Sequence, residues 1–268
     1  NAEFITRTKQ LFGEARFDTF VSALSLAPVV SVRYNREKIT VPESIDAVPW
    51  ATEAAYLAER PLFTGDPLFH SGCYYVQEAS SMFLEQAIRQ YVDGPVRALD
   101  LCAAPGGKST QLRNKLSSDG VLVSNEIIPS RCKILTGNIE RLGLKNTVTT
   151  CMDTKRLSDT FPDCFDLIMV DAPCSGEGMF RKEEQAVTEW SEENVLMCAD
   201  RQREILENAC FCLKDGGYII YATCTFSLEE NEMVIDAFLR DHPEFEIVKV
   251  RPSVEENTCD GIFFEGCQ

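Results

Sequence analysis

From about residue 73 onward the chain repeats one unit: a short apolar run, a turn of small or acidic residues, then a stretch with helical spacing. The runs fall at 96–101, 120–126, 147–151, 165–170, 217–222 and 245–250, and helices are expected over 108–116, 130–142, 201–213 and 229–239. Strands that alternate with helices cannot pair as hairpins. They need crossovers, and the result is an α/β fold: a parallel sheet with helices on both faces. Ligands of such sheets bind at the carboxyl ends of the strands. Every candidate residue below lies at such an end.

Residues 1–72 read as a smaller α/β unit, with helices at 4–11 and 17–26 and a β-branched strand at 29–35. Prolines 42, 49, 61 and 67 then interrupt any periodicity, which reads as a linker or extended wrap before a catalytic unit at 73–268. No apolar run approaches the roughly 18 residues that span a bilayer, so no membrane partner is expected. Asn1–Phe4 has neither a basic nor an apolar character of the signal-peptide kind. The 12 cysteines include no C-x-x-C pair, and His70 and His242 are the only histidines, so no metal is expected. Scattered cysteines of this kind fit a reducing cytoplasm and are expected mostly as small buried residues. The net charge of −16 argues against a general nucleic-acid coat. A local basic groove remains compatible with it, with weak and salt-sensitive binding unless a partner or further segment supplies charge.

The most informative stretch is Asp100-Leu101-Cys102-Ala103-Ala104-Pro105-Gly106-Gly107-Lys108-Ser109. Small residues and two glycines bring backbone close to a ligand, and the helix start beyond them offers free N–H groups. Gly107-Lys108-Ser109 copies the end of a phosphate-binding P-loop. That motif needs glycine where Cys102 stands, and Pro105 removes an amide that a phosphate cradle would use. One strand later, Glu126 stands where an acid accepts both ribose hydroxyls of an adenosine ligand. Asp153 ends the third strand, where it could meet the adenine of such a ligand, and Asp171 ends the fourth.

Two cysteines follow neighbouring strands: Cys174 in Asp171-Ala172-Pro173-Cys174-Ser175-Gly176, and Cys224 in Ala222-Thr223-Cys224-Thr225. Parallel neighbours would bring them to one rim, facing one pocket. A thiol there becomes a nucleophile if its pKa is lowered, which Lys108 or a helix N-terminus can do.

These residues resemble the Nop/Sun (RsmB/RsmF) RNA cytosine-C5 methyltransferases, and among bacterial members the RsmF-like 16S rRNA enzymes. The resemblance rests on the loop at 100–108, the segment 171–176 and Thr223-Cys224-Thr225. It extends to Tyr75-Val76-Gln77-Glu78-Ala79-Ser80-Ser81-Met82, Arg181-Lys182 and Glu229-Glu230-Asn231-Glu232. It covers roughly residues 70–250. It implies a Rossmann-like class I sheet, S-adenosyl-L-methionine as cofactor, small-subunit rRNA as partner, and a monomer with an RNA-binding N-terminal unit. It also implies Cys224 as nucleophile, Cys174 as helper in product release, Asp171 on the target base and Lys108 beside the reacting centre. The cofactor would lie against Cys102, Ala103, Ala104, Pro105, Gly106, Gly107, Lys108, Glu126, Arg131, Asp153 and Asp171. RsmF-like enzymes carry a further RNA-binding domain after the catalytic sheet, whereas this sequence stops at Gln268.

DNA cytosine methyltransferases share the ring chemistry but attack with the Pro-Cys cysteine and follow it with Glu-Asn-Val. Glu193-Asn194-Val195 occurs here, as a chance tripeptide in an acidic helix-like stretch. A catalytically silent RNA-binding or assembly protein would need neither cysteine. A tRNA substrate is the remaining alternative. Arg7, Lys9, Arg33, Arg36 and Lys38 are candidates for an RNA track.

Overall fold

The computed structural model describes residues 1–43 and 45–251. Helices α1 (Ala2–Phe12) and α2 (Glu14–Leu24) lead into β1 (Val30–Tyr34), β2 (Asp46–Ala47), β3 (Ala54–Leu57), the short helix α3 (Pro67–His70) and β4 (Tyr74–Val76). These strands form an antiparallel sheet in the order β2-β3-β1-β4. The stretch expected as a linker therefore folds. Its strands are only two to four residues long, too short to show a period beside the prolines.

Helix α4 (Leu84–Tyr91) opens the second unit. It continues as β5 (Arg97–Asp100), α5 (Gly107–Lys115), β6 (Val121–Asn125), α6 (Pro129–Leu142), β7 (Thr147–Thr150) and α7 (Thr154–Thr160). Then come β8 (Phe165–Asp171), α8 (Glu184–Glu189), α9 (Glu192–Cys212), β9 (Leu213–Ala222) and α10 (Glu232–Asp241). The sheet is parallel throughout, in the order β7-β6-β5-β8-β9. This is the parallel sheet expected from the alternation, and the Rossmann-like sheet that the resemblance implies.

β8 is central and covered on both faces, which is why its sequence is a continuous apolar run. Ile168 and Val170 pack with Leu157 of α7, Ile205, Leu206 and Ala209 of α9, and Val234 of α10. Leu167 and Met169, pointing the other way, pack with Ile88 of α4 and with Leu112 and Leu116 at α5. The strand order reverses at β5, so the turns after β5 and β8 border the crevice where ligands bind in such sheets.

The sixth strand expected at 245–250 does not form: none of these residues is in a strand. Their partners lie elsewhere. Phe245 packs on Phe238, the Lys249 carbonyl accepts from Tyr91 OH at 2.6 Å, and Arg251 exchanges two hydrogen bonds with Gln90. The segment is thus tied to α4 and not to the β9 ladder.

The N-terminal unit is joined to the second unit through α5, through the end of α6, where Asn35 Nδ2 donates to the Leu142 carbonyl at 2.9 Å, and through the loops after β8 and β9. Arg33 is buried, donating to Gln77 Oε1 at 2.9 Å and Thr110 Oγ1 at 2.6 Å, the latter on α5. The α1–α2 hairpin packs against the loops that follow β8 and β9: Phe4 on Phe180 and Trp190, and Phe20 on Phe226. Arg7 pairs with Glu229 and donates to Ser227.

Candidate active site

Residues 101–106 turn tightly after β5, and Gly106 caps α5 with φ of 111°. A side chain at Gly106 would be strained there and would crowd Leu135 of α6, at 3.1 Å from an added Cβ. Helix α6 holds the loop from outside: Arg131 Nη2 donates to the Ala104 carbonyl at 2.8 Å and Asn138 Nδ2 to that of Pro105 at 2.8 Å. Arg131 also faces Glu126 at 3.4 Å. Glu126 is buried and accepts from the Ile128 amide at 2.9 Å. Asp153 caps α7, one carboxylate oxygen accepting from the Arg156 amide at 2.8 Å. Arg131 thus joins Glu126 to the loop, a link its surface-like sequence context does not show.

Asp100 is fully buried. Its Oδ2 accepts from Ser109 Oγ at 2.5 Å, while Oδ1 has no protein partner. Burial pushes its pKa up to about 7, against the help of the Ser109 bond. A buried acceptor without a donor beside a small-residue loop suits an amine-bearing ligand. Cys102, in the same turn, is pushed well up by burial and by Asp100, and so stays a neutral thiol.

The rim after β8 and β9 carries the reactive groups. Asp171 and Ala222 are register partners, so their following loops leave the sheet side by side. Cys174 Sγ and Cys224 Sγ lie 3.3 Å apart. Lys108 Nζ, from the first turn of α5, sits 2.7 Å from Asp171 Oδ2. The two thiols share a hydrogen bond, which lowers Cys224 and, with burial, raises Cys174. Lys108 adds to the lowering of Cys224, whereas burial and Asp171 oppose it. Of the two thiols, Cys224 is the one whose ionisation this arrangement favours.

The family models of 16S rRNA methyltransferase RsmB/F and of the RsmF N-terminal domain match residues 92–260 and 1–79. The chain belongs to the RsmB/F family. It is 36% identical over 250 residues to the ribosomal RNA small subunit methyltransferase F of Serratia proteamaculans, a match that covers 88% of this chain and 52% of that one. The crystal structure of PH0851 superposes with a TM-score of 0.86 at 28% identity, over 98% of this chain and 60% of the other. A methyltransferase homolog from Pyrococcus horikoshii gives 0.73 at 29%, over 90% and 79%. The chain spans about half the length of the curated relatives it matches. S-adenosylmethionine is the cofactor that goes with this family, and the residues around Asp100 and Glu126 fit it.

Several residues of this RsmB/F site escaped the sequence reading. Glu230, fully buried, accepts from Ser175 N at 2.9 Å, Ser175 Oγ at 2.5 Å and Gln202 Nε2 at 3.0 Å. Glu177, also buried, accepts from Trp190 Nε1 at 3.0 Å and from the Phe226 amide at 2.8 Å. Ser175 Oγ and Thr225 Oγ1 meet at 3.1 Å, and the Gly178 amide donates to the Cys224 carbonyl at 2.7 Å. Asn231 ties Thr223 and Ser227 together. These bonds fasten the loop of one cysteine to the loop of the other. The signal was present in the Glu229-Glu230-Asn231-Glu232 motif, but in so acidic a chain a buried glutamate reads like a surface one.

Of the basic residues considered from sequence for an RNA track, only Arg33 is buried; the others hold intramolecular partners. Arg33 is inside the protein, Arg36 pairs with Glu53, and Lys38 donates to the carbonyls of Ser71 and Arg141. Lys9 pairs with Glu14 in the α1–α2 hairpin. The cysteines are also less buried than expected: only Cys73, Cys198 and Cys212 are fully enclosed among those described. No described helix is long and apolar enough to cross a membrane.

Proposed function

We propose that this chain, with S-adenosylmethionine as cofactor, methylates carbon 5 of a cytosine in RNA, with small-subunit ribosomal RNA as substrate. The observation that carries the reading is the cysteine pair, 3.3 Å apart beside the Lys108–Asp171 ion pair. The similarity to ribosomal RNA small subunit methyltransferases F supports the choice of ribosomal RNA.

When bound, the cofactor supplies a methyl group on a positively charged sulfur. The protein's part is to make carbon 5 nucleophilic. Cys224 as thiolate adds to carbon 6 of the ring, a C–S bond forms, and electron density moves to carbon 5. Asp171, held by Lys108, hydrogen-bonds the Watson–Crick edge of the base and fixes its orientation. Once carbon 5 has bonded the methyl group, Cys174, having lost its own proton to solvent, accepts the carbon 5 proton; the C–H electron pair restores the C5=C6 bond, and the C6–S bond breaks to return Cys224 as thiolate and release the base. Cys102 to Lys108, Glu126, Arg131 and Asp153 hold the cofactor. Residues 1–72 serve as an accessory unit bracing the cysteine loops, and residues 73–268 as the catalytic unit, in the cytoplasm.

The test is a cysteine swap with small-subunit rRNA and labelled cofactor. Cys174→Ala should accumulate a covalent RNA–protein adduct that survives denaturation, and Cys224→Ala should form none. The reverse pattern would make Cys174 the nucleophile, as in DNA enzymes. No transfer by the unaltered chain would leave a silent RNA-binding protein.

A further inference from the structure

Arg33 is buried, and Arg7, Arg36 and Lys38 each hold an intramolecular partner, so in a chain of charge −16 phosphate binding at the cysteine rim calls for other groups. The segment that follows the Cys174 loop supplies two. Its 3-10 turn, Glu177–Met179, carries the amide that bonds the Cys224 carbonyl, and the Lys182 amide bonds back to Met179 at 2.8 Å. Arg181 and Lys182 are therefore set beside the nucleophile by backbone, not by a flexible loop. Both side chains converge on Glu78: Arg181 Nη2 is 3.5 Å from Oε1, and the Lys182 ammonium contacts Oε2.

Arg60, in the N-terminal unit, is exposed with its guanidinium 5.5 Å above the Phe63 ring, and its charge acts on Lys182. Burial lowers Lys182, Arg60 lowers it further, and Glu183 and Cys224 oppose this. Three cations thus face two carboxylates, Glu78 and Glu183, and Glu183 lies exposed to water. An ammonium kept partly dry and crowded by another cation is short of negative charge. A nucleotide whose base reaches Cys224 must bring a phosphate close to this group.

We propose that Arg60, Arg181 and Lys182 form a site for a phosphodiester of the RNA strand next to the target base, with Glu78 as the internal counter-ion that the phosphate displaces. This rests on the reading of the chain as an RNA enzyme. Arginine matches phosphate with two parallel N–H bonds and lysine adds a point charge. The acid makes the site selective: a neutral strand gains nothing by replacing Glu78.

The experiment measures binding of a small-subunit rRNA transcript to the full chain between about 50 and 200 mM salt. Lys182→Gln and Arg60→Gln should each weaken binding about threefold to tenfold and flatten the slope of log K against log salt by about 0.7 to 0.9. Glu78→Gln should tighten binding. Arg60 is exposed, so R60Q keeps the fold, and unchanged S-adenosylhomocysteine affinity checks this for each variant. Wild-type affinity and slope in both R60Q and K182Q would overturn the site, as would an unaltered chain that binds no RNA. The readout needs no methyl transfer, so failure of the cytosine chemistry would leave this result standing.

Discussion

Replacing Glu230 by alanine should destabilise the protein by about 3–5 kcal/mol, more than any single exposed acid could. The figure follows from its partners. The Ser175 amide donates to Glu230 and would be left buried and unpaired, a loss of about 1–3 kcal/mol. Ser175 Oγ keeps Thr225, and Gln202 keeps the Pro173 carbonyl, so each loses only the charged half of its bonding, about 1 kcal/mol apiece. A small cavity adds the rest. Glu230→Gln keeps the shape and can set its –NH₂ against Ser175 Oγ, whose hydroxyl then donates to Thr225, so it loses only the charge of these bonds and should cost about 1 kcal/mol. Urea unfolding at neutral pH would read both, with Glu193→Ala on the exposed face of α9 as a control within about 0.5 kcal/mol of wild type. Because Glu230 locks Ser175, the residue after Cys174, methyl transfer should fall in Glu230→Gln even where the protein is fully folded. If Glu230→Ala unfolded within about 1 kcal/mol of the control, the bonds around Ser175 would not be what holds the two loops together.

Alkylation of Cys224 by iodoacetamide, followed by peptide mass spectrometry, should titrate below the ordinary thiol range. Cys174→Ala should move that titration upward, because the bond that lowers it is lost. Asp100 should make the cofactor-free protein less stable as pH rises. Its folded pKa of about 7 exceeds the unfolded 3.8, so its contribution is full below pH 4 and is lost by pH 7, a fall on the order of 4 kcal/mol. Asp100→Asn should remove that slope in melting experiments, and a slope that survives the substitution would place the titrating group elsewhere.

The second unit was legible because its strands are apolar, its helices long and its turns rich in small residues. β8 and α6 begin within a residue of their expected starts. The N-terminal sheet was not, since β2, β3 and β4 are held by pairing with β1 more than by any pattern of their own. Arg33 misled for a related reason. On β1 it alternates with Val32, so it reads as the wet face of a half-buried strand, yet α5 covers that face and supplies polar partners. The cysteines and the small-residue loop announced the site. The acids that set its geometry did not, because hydrogen bonds to a carboxylate leave no periodic mark in a sequence.

The approach of the Gly178 amide to the Cys224 carbonyl has a consequence for lineage. A Cβ added at residue 178 would lie 2.3 Å from that oxygen, so even alanine must push the two loops apart. A descendant could thus fall silent through one methyl group while keeping Cys174, Cys224, Asp171 and Lys108 intact. Catalogues that infer activity from the presence of both cysteines would count such a chain as an enzyme. The residue that separates a working copy from a decoy is one that takes no part in the chemistry.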